Sequence, residues 1–255
     1  MSFAGLLLLA SLQGSSCAPV LERQTLVEPN PITVSASNGN SSGNSSGNSS
    51  GNSSGPRPGY GDQLQPSRLG WVTLPHWCIW VEPSAPDLWS QRWSQAVEAA
   101  LASWGKQISL ERVERAEDAQ LRLWRRRPPL QGGRASHGRA LLSFQQVRRS
   151  QQPQAQLEPL VEILISPGQR PQAIQATSLH ELGHGFGLWG HSDQASDVMG
   201  AVPGAIPLLE LSRRDLLSLG WLQGQASLFG SPWPAVTPAG KSATAPPPPT
   251  VRRGD

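Results

Sequence analysis

Cysteine is nearly absent from this chain: Cys17 and Cys78 are the only two, too few for the disulfide framework of a small secreted scaffold. No apolar run approaches the ~18 residues that a helix needs to cross a bilayer, so no membrane span is expected. Charge of one sign is also scarce. The formal net charge is +3, with two lysines against 19 arginines. The one basic cluster, Arg125-Arg126-Arg127 after Trp124, carries no nucleic-acid-binding motif and reads as a solvated loop, so no nucleic-acid partner is expected.

What the chain does contain is unevenly spread. All six asparagines lie between Asn30 and Asn52, and residues 39–54 are four copies of Gly-Asn-Ser-Ser, a composition that cannot bury a core. Residues 19–66 are accordingly expected to be a disordered linker. Residues 231–255, with four consecutive prolines from Pro246 to Pro249, are expected to be a disordered tail. One domain of ordinary size remains at 67–230, and it holds nine of the ten tryptophans. Residues 1–18 read as an export signal, with an apolar stretch at 6–10 followed by the small residues Gly14, Ser15 and Ser16, although no Lys or Arg precedes that stretch. The alternative is a disordered, uncleaved N-terminus. The signal implies a secreted or cell-envelope protein. Removal of the signal would leave Cys78 without a partner, while retention of Cys17 at the new end would offer a site for a lipid anchor.

The chemistry concentrates at His180-Glu-Leu-Gly-His184-Gly-Phe-Gly187-Leu-Trp-Gly190-His191-Ser192, with Asp197-Val-Met199 just beyond. Three of the five histidines fall in this window, and Met199 is the only methionine besides Met1. On a helix, His180 and His184 lie one turn apart on one face and can reach a single ion. Glu181, beside the first histidine, is placed to bond a metal-bound water instead of the metal. Gly187 can leave the helix through a left-handed turn and bring His191 back as a third ligand. Three neutral nitrogens with one position open form a catalytic zinc site, not a structural one. Three residues separate Gly187 from His191. That spacing keeps Asp193 open as an alternative third ligand, since a carboxylate can also bind zinc.

This window resembles the signature of the metzincin metallopeptidases, and within them the matrixin-like branch. The resemblance covers roughly residues 68–230. It implies zinc on His180, His184 and His191, Glu181 as general base, and Met199 in a turn beneath the metal. The function implied is zinc-dependent endopeptidase cleavage of protein or peptide substrates. The alternative weighed against it is a catalytically inactive zinc-binding surface module. Several family features are missing. There is no Pro-Arg-Cys-Gly segment to impose latency, residue 201 is alanine where some branches carry a tyrosine ligand, and Gly200 stands where matrixins carry a bulky residue. A calcium ion is left open, with no residue pattern to support it.

Hydrophobic periodicity predicts strands at 77–81, 108–113, 119–124, 138–144 and 161–166. It also predicts a helix capped by Asp87 and ending at Gly105, a metal-bearing helix at 172–187, and a last helix at 212–222 opened by a Ser212/Asp215 capping box. The expected fold is α/β: a mixed twisted sheet with a metal-bearing helix and a C-terminal helix, the zincin-like arrangement. Residues 138–144 are expected to be the sheet edge along which a substrate would lie. His137 and His76 read as surface residues, with His137 also weighed as a ligand of a second, structural metal.

Overall fold

The computed structural model describes residues 17–26, 55–133, 135–202 and 204–233. The export-signal stretch through residue 16, the Gly-Asn-Ser-Ser repeats and the tail beyond Trp233 lie outside the described residues.

The fold is mixed α/β. Strands β1 (Val20–Leu26), β2 (Trp77–Val81), β3 (Leu110–Arg112), β4 (Leu121–Trp124), β5 (Gly138–Arg149) and β6 (Gln156–Ile165) form one sheet in the order β1-β5-β6-β4-β2-β3. β2, β3, β4 and β6 run parallel; β5 is antiparallel to β6 and to β1. Helix α1 (Leu88–Trp104) starts at Asp87, whose side chain accepts from the Ser90 N–H, and α2 (Pro171–Gly185) starts with proline in its first turn. Helix α3 (Arg213–Gln223) carries the expected capping box between Ser212 and Asp215.

Among the parallel strands β2 is a short apolar run, Trp-Cys-Ile-Trp-Val, buried at every position. α1 packs against α2, and α2 lies along β5 and β6. The tryptophans supply the filling: Trp77, Trp93 and Trp104 are fully buried, and truncating any such side chain costs about 3–5 kcal/mol. Trp104 also joins the two helices, its indole N–H donating to the Leu179 carbonyl at 3.0 Å.

Two expectations about the N-terminal part are corrected. Part of the expected linker, residues 20–26, is an edge strand, and Gly61–Gln63 is a turn of 3₁₀ helix. Cys17 is buried and disulfide-bonded to Cys78. Cys78 therefore does not stand alone, and the Cys17 sulfur is not available to a lipid. The bridge closes a loop of 61 residues, which in the chain-entropy picture stabilises the fold by about 4 kcal/mol. A buried polar network completes the attachment. Val20 N–H donates to Asp118 at 2.8 Å, and Arg149 donates to the carbonyls of Ala18 and Asp118. Arg149 also pairs with Glu158 through two 2.8 Å bonds.

β1 also changes the edge. β5 is not the outermost strand: β1 pairs with it from Phe144 to Arg149. Among the described residues, only the part of β5 from 138 to 143 keeps its outer side free of strand pairing.

Candidate metal centre

The local sequence builds the centre in two steps. α2 presents His180 and His184 from successive turns, then ends at Phe186. Gly187 has φ +103°, and a Cβ there would lie 2.1 Å from the Val72 carbonyl oxygen, so only glycine lets the chain turn away at this point. Gly190 has φ +153°, and a Cβ there would lie 2.3 Å from the Gln63 carbonyl oxygen, so glycine is required again directly before His191. The three imidazoles then surround one point, with ring centroids 4.9, 5.2 and 5.0 Å apart. Their ligating nitrogens lie within 4.8 Å of one another.

The outer hydrogen bonds fix which nitrogen faces inward. His180 Nδ1 bonds the Val198 carbonyl and His184 Nδ1 bonds the Leu188 carbonyl, each at 2.8 Å. A carbonyl only accepts, so Nδ1 carries the proton in both rings and Nε2 presents its lone pair to the centre. Nε2 of His184, Nε2 of His191 and Oε2 of Glu181 are all buried without a hydrogen-bond partner. Buried polar atoms are rarely left unpaired; the two histidine nitrogens belong to the group of three imidazoles, and Glu181 lines the same cavity as His180. That donor set fits a divalent cation with a water beside it.

Electrostatics agree with the geometry. Burial lowers the proton affinity of His180, and it lowers that of His184 well below the ordinary histidine value, helped by the neighbouring His180 and His191. His191 falls to about 4, through burial and then His180. All three are neutral near pH 7, as metal ligation requires. Glu181 moves the other way, pushed up to about 8 by burial, with the Ala140 N–H and Arg139 pulling it down less strongly. Near pH 7 this carboxyl is mostly protonated, and a further positive charge nearby would favour its ionised form.

Met199 is fully buried under α2, and a Cβ on Gly183 would meet its sulfur at 2.2 Å, so the methionine sits directly against the metal helix. The His191 loop is tied to the same turn by Ser192 N–H donating to the Met199 carbonyl at 2.7 Å. Asp193, the alternative third ligand, is excluded. Its side chain is 62% exposed and pairs with Arg214 at 2.6 Å. The pairing with a guanidinium in solvent holds that carboxylate away from the centre.

No protein-family model matches the chain, and no curated protein matches it. The residues themselves thus carry the functional argument.

Beside the centre opens a cavity of about 590 Å³, lined by Thr177, His180, Glu181, Val198, Ile206 and Leu208 among others. The start of β5 forms one lip. Gly138 is so close to α2 that a Cβ would lie 2.6 Å from Glu181 Cγ and Oε1. His137 is exposed at the cavity mouth and belongs to no group of three metal-ligating side chains among the described residues. Arg125–Arg127 also stay away from the site. The Arg125 N–H donates to the Glu82 carboxylate, and the Arg126 guanidinium stacks on Trp124 at 4.3 Å.

Two aspartates emerge as supports that the sequence marked only as a motif neighbour and a helix cap. Asp215 is fully buried and accepts from Tyr60 Oη, Val198 N and Ser212 N at 2.9, 3.0 and 2.8 Å. It thereby holds in place the backbone whose Val198 carbonyl orients His180. Asp197 accepts from the hydroxyls of Ser192 and Ser212, and it pairs with Arg214 at 3.2 Å. The buried Tyr60 hydroxyl is raised in pKa by desolvation and by Asp215, so it stays a donor.

Proposed function

We propose that this chain is a zinc-dependent endopeptidase, related in design to the matrixin-like metzincins. The single observation that carries the reading is the convergence of three neutral imidazoles next to the buried Glu181, whose Oε2 has no hydrogen-bond partner. His180, His184 and His191 would hold zinc, which would act as a Lewis acid and lower the pKa of a bound water to about 7. Glu181 Oε2 would serve as general base toward the attacking water and return the proton to the departing amine nitrogen. The peptide lies extended along the open side of β5 at 138–143, pairing main chain to main chain, and one of its side chains enters the cavity behind Glu181. Met199 and the Asp215-held backbone keep the histidine rings from rotating.

An inactive zinc-binding module would need the three histidines but has no use for a desolvated acid next to them. The Cys17–Cys78 bridge supports a setting outside the reducing cytosol, secreted or at the cell envelope. No helix among the described residues is long and apolar enough to cross a membrane.

The test is cleavage of a diverse quenched-peptide pool by the full chain, with and without a chelator. Chelation abolishes turnover and zinc restores it. Glu181→Gln keeps the metal and loses turnover. Zinc uptake with no cleavage of any peptide would leave only the binding module, and absence of zinc uptake would overturn the site itself.

A further inference from the structure

A second group of metal-ligating side chains lies at the opposite end of the sheet, around the disulfide. The ligating atoms of Cys17, His76 and Glu111 fall within 4.8 Å of one another, and Cys78 Sγ is bonded to Cys17 Sγ. The topology brings them together. Cys78 on β2 stands opposite Glu111 on β3 in the parallel register, and His76 directly precedes β2. This edge is separated from β5 by β4 and β6, and the group shares no residue with the centre at His180.

The histidine is oriented as a ligand would be. His76 Nδ1 bonds the Ser109 hydroxyl at 2.8 Å, while Nε2 is buried with no hydrogen-bond partner. Nε2 faces Glu111 Oε2 at 3.6 Å. That is too long for a hydrogen bond, but close to the ~3.3–3.8 Å between two ligand atoms on one tetrahedral zinc ion. The bridge places the Cys17 sulfur within 4.8 Å of the ligating atoms of that pair, with the Cys78 sulfur bonded to it.

We infer that Cys17, Cys78, His76 and Glu111 form a second zinc site that becomes available when the bridge is reduced, the metal then replacing the disulfide as the tie between the N-terminal strand and the sheet. A dithiol reductant supplies two electrons and two protons. The S–S bond breaks, two thiols form, and the reductant leaves as its own disulfide. On binding a divalent cation both thiols release their protons, so the ligands are two thiolates, one imidazole and one carboxylate. Thiolates select zinc or cobalt over calcium or magnesium. Four protein ligands leave no open position, so the site is structural.

The test uses the full chain, oxidised and dithiol-reduced, titrated with Co²⁺ under anaerobic conditions and with Zn²⁺ for metal counting. The reduced protein holds one more metal equivalent than the oxidised protein and alone shows a thiolate-to-cobalt charge-transfer band. Cys17→Ser with Cys78→Ser removes both signals. His76→Ala or Glu111→Ala weakens cobalt binding in the reduced form by more than about 10-fold, the loss that even the outer partners of a ligand can cause. An equal metal count in both redox states overturns the inference. So does a band of undiminished affinity in both single variants, which would mean that the two thiols bind metal without the folded site. Peptidase activity plays no part in either readout, so this result is independent of the proposed function.

Discussion

Removing the metal should turn Glu181 into a pH-dependent burden on the fold. Its carboxyl, ordinarily near 4.5, sits at about 8 in the metal-free folded chain. The folded state therefore holds that proton more tightly than the unfolded chain does. The stabilisation is complete below about pH 4.5 and is lost as the pH rises through that value toward 8. The three histidines act in the opposite direction: their folded values are depressed, so their contribution is present above about 6.5 and is lost as the pH falls. Between pH 6.5 and 8 the imidazoles stay neutral in the folded state and give up their remaining protons in the unfolded chain, a contribution that wild type and Glu181→Gln share, so the difference between the two proteins reports Glu181 alone. That interval of about 1.5 pH units, at about 1.36 kcal/mol each, corresponds to a loss of about 2 kcal/mol. Urea unfolding of the chelated protein, followed by tryptophan fluorescence at pH 6.5 and 8.5, measures it. The wild type should lose about 2 kcal/mol relative to Glu181→Gln across the window, and saturating zinc should shrink that difference. Parallel curves for wild type and Glu181→Gln would refute the claim that burial outweighs Arg139 and the Ala140 N–H at this acid.

Three further outcomes follow from the geometry. Gly187→Ala, which combines φ +103° with a Cβ 2.1 Å from the Val72 carbonyl, should cost roughly 2–4 kcal/mol in denaturation and lower zinc affinity by displacing His191. Asp215→Ala removes the acceptor that holds the Val198–Met199 backbone, so competition against a chromogenic chelator should show about 10–100-fold weaker zinc binding. Arg149→Met strands the buried Glu158 carboxylate and should destabilise by about 3–5 kcal/mol, whereas Arg149→Met with Glu158→Leu should recover most of that loss.

The clustering of the three histidines was legible because its information is local. Helical spacing joins His180 to His184, and two glycines return the chain to His191 within seven residues of His184. The strands β2, β4 and β6 were legible for a similar reason, as apolar runs between turn residues. The expectation for 138–144 fell short of the full strand because β5 continues through Gln145 and Gln146, and its partner β6 contains Pro159, a residue that argues against a strand interior. β1 had no signal of this kind. Of its seven residues none is fully buried, and Leu21 is 54% exposed, so no period-two apolar face marks it. Main-chain pairing, Asp118, Arg149 and the disulfide hold it, and each of these partners lies far away in sequence. Asp193 was open as a ligand on spacing alone. Its engagement by Arg214, which is 21 residues on, depends on where α3 docks.

The Cys17–Cys78 bridge makes everything between those residues a covalent ring that contains both the edge strand and the Gly-Asn-Ser-Ser repeats. A single nick anywhere in that ring opens it without releasing a fragment, and the mass of the molecule rises by one water. Only a second nick, or a thiol, sets a piece free. The edge strand can therefore survive attack on the repeats beside it, as one half of a two-chain protein.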